Sequence, residues 1–315
     1  MIAYEDRALA ALIAGVFALL VVASIAGWIV SGRITSRAGR ATVDNINARI
    51  RAWWMMALIF VAAVATGRIG AILLFTLISF LALREFVTLA PTRPGDHRAL
   101  FWSFFIVTPL QYYLVYIEWY GLFSILIPVW MSIFLAIRTT LAGDTEHFLE
   151  RTAITQWGLM ICVFFLSHVP ALLMLNIPWY ENQNAKLLFF LVLVVQLSDV
   201  LQFVWGKSIG RRPVAPTISP NKTWEGLIGG VASATLAGAA LWWATPFSPL
   251  AAGLMALTIT MMGFAGGLIM SAIKRDRGVK DWGQLIDGHG GMLDRLDSVV
   301  FAAPVFFALT RVFWS

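Results

Sequence analysis

The chain has 315 residues, of which 59% are hydrophobic and only 13% are charged, and its formal net charge is +6. Soluble domains are about half apolar and about a quarter charged, so this composition excludes an ordinary soluble domain. Lysine and arginine in the cytoplasmic loops of a membrane protein explain the basic charge, and we expect no nucleic-acid partner. The single cysteine, Cys162, excludes an intramolecular disulfide.

The hydrophobic runs are long enough to cross a bilayer, which takes about 20 helical residues. They predict an all-α, polytopic integral membrane protein with about ten transmembrane helices, at 9–30, 53–66, 69–83, 101–117, 121–137, 156–175, 187–205, 227–245, 250–272 and 298–314. The second and third runs are short, so a tight hairpin or a re-entrant pair stays open for them. The first run follows two acids rather than a basic cluster, and we interpret it as a retained span.

The chain shows no internal repeat and no soluble linker, which predicts one polytopic membrane domain over 1–315. Its N-terminal spans (1–175) precede the spans that carry the charged motifs (187–315). Nineteen of the 23 lysines and arginines lie in one set of alternate loops, at 31–52, 84–100, 138–155, 206–226 and 273–297. The positive-inside rule places these loops in the cytoplasm and both termini outside.

The first polar feature in the second half is Asp199, near the end of the seventh run. A carboxylate within a span is costly and is therefore a functional candidate, although a hydrated helix end would also explain it. The nearby stretch Gly206-Lys207-Ser208 is not a P-loop, because position 201 is Leu201 rather than glycine and a membrane span precedes it.

The next loop contains a predicted helix start, with Ser219 as N-cap and Pro220 at the first helical position. Lys222 and Thr223 would then lie in the first turn, where they could hold a phosphate. Glu225 could pair with Lys222 or approach a metal. The simpler alternative is an ordinary capped helix that leads into the eighth span.

Asp294 and Asp297 are three residues apart at the start of the last span, which places them on one helix face. Two carboxylates so close repel each other unless a cation or a proton lies between them. Such oxygen ligands suit Mg²⁺, which commonly binds through one or two carboxylates and substrate phosphates. Asp281 could add a third donor. Acids that stabilise the N-terminus of the helix are the alternative explanation.

The stretch Gly288-His289-Gly290-Gly291 directly precedes this helix. Glycines allow backbone N–H groups to turn toward a phosphate, and a helix N-terminus favours an anion. His289 could donate a hydrogen bond to phosphate or be a surface histidine.

Together these residues resemble the phosphatidate cytidylyltransferase (CDP-diacylglycerol synthase) family. The residues at the spacing of its C-terminal signature are Ser271, Lys274-Arg275, Lys280-Asp281, His289-Gly290-Gly291, Asp294-Arg295 and Asp297. The stretch from Ser219 to Gly226 and the upstream Asp199 also look like family motifs. The resemblance implies transfer of CMP from CTP to phosphatidic acid, which gives CDP-diacylglycerol and pyrophosphate in phospholipid biosynthesis.

The resemblance also implies roles for single residues. Mg²⁺, with or without a second cation, would be held by Asp281, Asp294 and Asp297, and Asp199 and Glu225 are further candidates. Phosphates and the reacting groups would be held by Lys222, Lys280, His289 and Arg295. The remaining substrate contacts would come from Ser219, Thr223, Lys274, Arg275, Gly290 and Gly291, with Lys274 and Arg275 drawing in the lipid head group. The expected location is a bacterial inner membrane with the site facing the cytoplasm, and a homodimer stays open.

Two positions depart from the family pattern. Asp287 stands where most members have proline, and Gly266-Gly267-Leu268 stands where many have Gly-Asp-Leu. The missing carboxylate at Gly267 suggests a divergent branch. It leaves open cytidylyl transfer to another lipid phosphate, a CTP-dependent lipid kinase that releases CDP, and a catalytically impaired lipid-binding protein. A transporter would collect its polar residues at the bilayer midplane, which this pattern does not indicate.

Overall fold

The computed structural model describes residues 4–33, 37–283 and 290–315, and within these ranges the chain is almost entirely helical. The helices are α1 (Tyr4–Arg33), α2 (Arg37–Ala65), α3 (Gly67–Thr88), α4 (His97–Trp102), α5 (Thr108–Tyr116), α6 (Tyr120–Ile125), α7 (Ser132–Thr140), α8 (Phe148–Leu159), α9 (Leu166–Ala171), α10 (Ala185–Ile209), α11 (Trp224–Ala240), α12 (Pro249–Asp276) and α13 (Leu293–Trp314). Two short antiparallel strands, β1 (Pro213–Ala215) and β2 (Ser219–Thr223), lie between α10 and α11. The prediction of an all-α membrane protein is confirmed.

Among the described residues, nine helical segments are long and apolar enough to cross a membrane. They are Arg7–Gly32, Asn47–Ala65, Gly67–Thr88, Pro94–Tyr116, Tyr120–Thr140, Phe148–Met174, Ala185–Ile209, Pro249–Asp276 and Leu293–Trp314. The second and third predicted runs thus lie within longer apolar helical segments, of 19 and 22 residues. The remaining predicted run, 227–245, corresponds to α11, which has 17 residues.

The fourth, fifth and sixth of these segments each contain a π-helical stretch, at Ser103–Val107, Leu126–Met131 and Met160–Phe165. Pro109 and Pro128 lie next to or within two of them, and a proline within a helix leaves a carbonyl without its N–H donor. Side-chain hydroxyls donate to carbonyls of these stretches, as membrane helices require. Thr108 Oγ1 donates to the Ser103 carbonyl at 2.8 Å, and Ser132 Oγ donates to the Pro128 carbonyl at 2.7 Å.

The main apolar core joins α3, the π-helical stretches, α9, α10, α12 and α13. Its largest fully buried side chains are Tyr112, Phe123, Phe190, Phe306 and Phe307. By contrast, the apolar windows of the first two spans are only 17% and 6% buried within the chain, so most of their surface is left for lipid.

Glycines bring the helices of the second half into close contact. A Cβ at Gly230 of α11 would lie 2.3 Å from the Gln202 side chain of α10. A Cβ at Gly266 of α12 would lie 2.6 Å from the Asp297 carbonyl oxygen of α13. Small residues let membrane helices approach closely, and here they place the polar ends of α10 and α13 on either side of one cavity.

Candidate active site

A polar cavity of about 300 Å³ lies between α10, β2, the start of α11, α12 and α13. Its polar lining consists of Asp199, Gln202, Ser219, Asn221, Lys222, Thr223, Asp297 and Ser298. Apolar side chains complete the wall, and one of them, Phe203, is 60% exposed on the outer face of the bundle. The structure therefore brings together five of the predicted site residues, from three separate parts of the sequence.

Lys222 extends from β2 toward α12. Its ammonium lies 5.0 Å from the centre of the Phe264 ring, which is a cation–π distance. A Cβ at Gly267 would lie only 2.5 Å from Lys222 Nζ. The absence of a side chain at position 267 therefore leaves the space that the ammonium occupies. Burial lowers the pKa of the Lys222 ammonium below its usual value, while the negative charges of Asp297 and Asp199 oppose that effect.

The predicted helix start at Ser219 is wrong. Residues Ser219–Thr223 form strand β2, and Thr223 is the N-cap of α11. Thr223 Oγ1 accepts a hydrogen bond from the Gly226 N–H at 3.2 Å, which satisfies one of the free donors at the helix start. Pro220 fits the strand because its backbone angle is also allowed in an edge strand. Lys222 and Ser219 consequently reach the cavity from a strand and not from a first helical turn.

The sequence left two roles open for Glu225, an ion pair with Lys222 or an approach to a metal. The structure does not show the ion pair with Lys222. Glu225 Oε2 accepts hydrogen bonds from the backbone N–H groups of Arg211 and Arg212, at 3.0 and 3.2 Å. These bonds, above all the one from Arg211, lower the pKa of the Glu225 carboxyl below its usual value. Glu225 therefore fastens the segment before β1 to the start of α11.

The start of α13 contains a second group of charges. Asp294 Oδ1 accepts a hydrogen bond from Lys274 Nζ at 2.8 Å, in an ion pair whose side chains are 6% and 11% exposed. Asp294 Oδ2 accepts from the backbone N–H groups of Trp282 and Gly291, at 2.8 and 2.9 Å. Both oxygens of Asp294 are thus engaged within the protein, and so is the Gly291 N–H that was predicted to face a phosphate.

Glu85 of α3 occupies the next two donors of this helix start. Its Oε1 accepts from the Met292 N–H at 2.7 Å and its Oε2 from the Leu293 N–H at 2.9 Å. Glu85 is not among the residues predicted from the sequence, because the third predicted span ends at position 83. Helical periodicity could have identified it, because Glu85 lies at helical spacing on the same face of α3 as the packed Ile78 and the buried Ala82.

The other predicted site residues lie around these two groups. Lys280 and Asp281 are exposed, and the Asp281 Cβ would lie 3.3 Å from a Cβ at Gly290, where φ is +80°. Arg275 donates to the Ile218 carbonyl and to the Val279 carbonyl, at 3.3 and 3.0 Å, so it braces the hairpin loop. Arg295 is partly buried next to Asp294 on α13. His289 lies outside the described residues.

The three predicted metal ligands are not assembled around one point. Within the described ranges, no three His, Cys, Asp or Glu side chains are arranged to hold a metal ion. Of the predicted trio Asp281, Asp294 and Asp297, only Asp297 lines the cavity, and the second cavity carboxylate is Asp199. Two carboxylates with the hydroxyl of Ser298 form an all-oxygen donor set, which fits Mg²⁺ when substrate phosphates supply further ligands. Metal binding here stays a prediction.

The sequence model of the cytidylyltransferase family matches residues 47–313, most of the chain. The chain is 40% identical over 300 residues to the uncharacterized protein YnbB of Escherichia coli (strain K12), covering 95% of this chain and 97% of that one.

Two further relatives have a named activity. The phosphatidate cytidylyltransferase of Bacillus subtilis (strain 168) is 29% identical over 276 residues, which cover 85% of this chain and 99% of that protein. The phosphatidate cytidylyltransferase of Brucella abortus biovar 1 (strain 9-941) is 30% identical over 278 residues, which cover 86% and 95%. The similarity extends over nearly the whole length of all three relatives.

Proposed function

The chain belongs to the cytidylyltransferase family, and we propose that it is a phosphatidate cytidylyltransferase of a bacterial inner membrane. It would transfer CMP from CTP to phosphatidic acid and release pyrophosphate. The support for this substrate comes from the two named relatives and from the character of the cavity. One observation carries the proposal: Asp199, Lys222 and Asp297 line a single cavity that reaches an apolar, exposed surface at Phe203.

This cavity suits two substrates of different polarity. CTP would place its phosphates next to Lys222, whose ammonium supplies a positive charge among partly buried groups. The lipid would approach along the apolar wall, where the exposed Phe203 offers surface to its acyl chains. An enzyme that joins a water-soluble nucleotide to a membrane lipid needs both kinds of surface at one point.

The reaction asks for little covalent participation by the protein. An oxygen of the lipid phosphate attacks the α-phosphorus of CTP, a new P–O bond forms, and the bond to the bridging oxygen of the β-phosphate breaks. The electron pair of that bond leaves with pyrophosphate. Positioning and charge stabilisation then account for most of the rate, and Lys222 is the cation placed to hold the phosphates in line.

Asp199 and Asp297 are the residues that would hold Mg²⁺. The ion, when bound, would neutralise negative charge on the phosphates. We assign Asp294 a structural role instead, because Lys274 and two backbone N–H groups donate to its two oxygens. This assignment predicts that a cation binds at the cavity carboxylates rather than at the three aspartates of the sequence motif.

The test is a transfer assay with purified protein in detergent, Mg²⁺, phosphatidic acid and CTP labelled on either the α- or the γ-phosphate. We expect the α-label to enter lipid and pyrophosphate to be released. Entry of the γ-label into lipid would instead identify a lipid kinase. Transfer of the α-label to a lysolipid or isoprenoid phosphate but not to phosphatidic acid would retain cytidylyl transfer and overturn the lipid assignment.

A further inference from the structure

Glu85 connects the first half of the chain to the motif-bearing half. It lies near the end of α3, and its two carboxylate oxygens accept the N–H groups of Met292 and Leu293, which are 207 and 208 positions further along the chain. Each oxygen accepts from a different donor, so the carboxylate holds the helix start at two points. A carboxylate at a helix N-terminus also interacts favourably with the helix dipole.

The surroundings of Glu85 leave space for this contact. A Cβ at Gly283 would lie 3.0 Å from Glu85 Oε1, and a Cβ at Gly291 would lie 2.4 Å from Glu85 Oε2. Glycine at both positions therefore permits the close approach of the carboxylate. The next residue on α3, Phe86, stacks on Trp282 with ring centres 5.4 Å apart, so a second contact holds the same segment.

The helix start that Glu85 holds determines where Asp297 lies. Leu293 is the first residue of α13, and Asp297 follows one helical turn later, where it lines the polar cavity. A shift or fraying of the first turn of α13 would move that carboxylate relative to Lys222. Glu85 itself does not line the cavity.

We propose that Glu85 is a positioning residue of the active site, which fixes the first turn of α13 and thereby the place of Asp297. This inference rests on the proposed function for its catalytic consequence. Glu85→Gln keeps the shape of the side chain but turns an N–H₂ group toward one of the two backbone donors. We expect kcat to fall about tenfold to a hundredfold, because small misplacements of reacting groups cost this much, while the KM for CTP changes less than about threefold.

A pair of compensating substitutions gives a specific test of the geometry. Gly291→Ala places a methyl group against the carboxylate of Glu85, and Glu85→Asp withdraws the carboxylate by one methylene. Each single variant should lose activity, and the double variant should be more active than the product of the two losses predicts. Strictly multiplicative losses would contradict a direct fit between these two residues.

The deciding experiment does not depend on activity. In a Cys162→Ala background, Met292→Cys supplies a single thiol at the helix start, and its rate of maleimide alkylation reports opening of the first turn. We expect Glu85→Gln to raise that rate at least about threefold, and the control Arg84→Gln, at an exposed position of α3, to leave both the rate and kcat unchanged.

An unchanged alkylation rate in Glu85→Gln, or an unchanged kcat, would overturn the inference. If the parent protein shows no cytidylyl transfer at all, the proposed function fails, and the alkylation rates still decide whether Glu85 holds α13.

Discussion

Two pairs of carboxylates lie near the start of α13, and they differ in what surrounds them. Asp294 and Glu85 have a donor for every oxygen, from Lys274 or from backbone N–H groups. Asp199 and Asp297 instead line an open cavity with Lys222, where Asp297 Oδ1 accepts the Ser298 N–H at 2.9 Å. The same functional group therefore has a structural role in one place and is a candidate ligand in the other, and the difference is that the second pair faces a cavity.

The largest effect is expected at the cavity. Asp297→Asn removes a negative charge that would hold the cation next to the substrate phosphates. We expect the rate of cytidylyl transfer to fall by about a hundredfold to a thousandfold. Initial rates with α-labelled CTP measure this loss. Asp276→Asn, at an exposed acid at the end of α12, is the matched control and should retain full activity. Near-normal turnover by Asp297→Asn would place the reacting phosphates elsewhere.

The second prediction concerns stability at the other pair. Asp294→Asn leaves Lys274 without its partner in a nearly buried ion pair, which should lower the free energy of unfolding by about 3 kcal/mol. Denaturation in mixed detergent micelles measures it. The double variant with Lys274→Met should lose less than the sum of the single losses, because no unpaired charge remains. Fully additive losses would show that the two side chains do not interact.

A smaller loss of activity is expected when the space around the Lys222 ammonium is reduced. Gly267→Ala would place a methyl group 2.5 Å from Lys222 Nζ, so the ammonium must shift within the cavity. We expect kcat/KM for CTP to fall about tenfold, which corresponds to about 1.4 kcal/mol of transition-state stabilisation. Gly253→Ala is the control on the same helix, because its Cβ would make an ordinary contact at 3.4 Å. Equal activity of the two variants would show that the ammonium needs no space at Gly267.

The smallest effect should be a pH dependence at the hairpin. Because hydrogen bonds from Arg211 and Arg212 lower the pKa of Glu225 below 4.5, its stabilising contribution is complete above that pH and is lost as the pH falls through the lower folded-state pKa. Thermal unfolding of the parent and of Glu225→Gln should differ at pH 7 and converge once the pH has fallen below the folded-state pKa of Glu225. A difference that persists in acid would exclude this titration as its cause.

Much of the fold could be predicted from the sequence, because span length and apolar composition follow from the bilayer itself. The hairpin could not, since Pro220 is compatible with both a helix start and an edge strand, and the hydroxyl of Thr223 rather than that of Ser219 captures the free N–H at the start of α11. Local sequence alone does not decide between two capping residues four positions apart.

The site was predictable in its residue types but not in its partnerships. The spacing of Asp294 and Asp297 correctly places both at the start of one helix. Asp294, however, pairs with Lys274, and only Asp297 of the two lines the cavity. Glu85 comes from a distant segment, and only tertiary packing brings it to α13. Spacing along a helix predicts which side chains are neighbours, and it does not predict which donors from other segments will reach them.

The most direct test of the difference between the two pairs is Mn²⁺ binding to purified protein, followed by the electron paramagnetic resonance of the free ion. The parent and the double variant Asp294→Asn with Lys274→Met should bind Mn²⁺ with similar affinity, whereas Asp297→Asn should lose that binding. Retention by Asp297→Asn together with loss in the double variant would contradict the account, because the start of α13 would then hold the ion and the cavity would not.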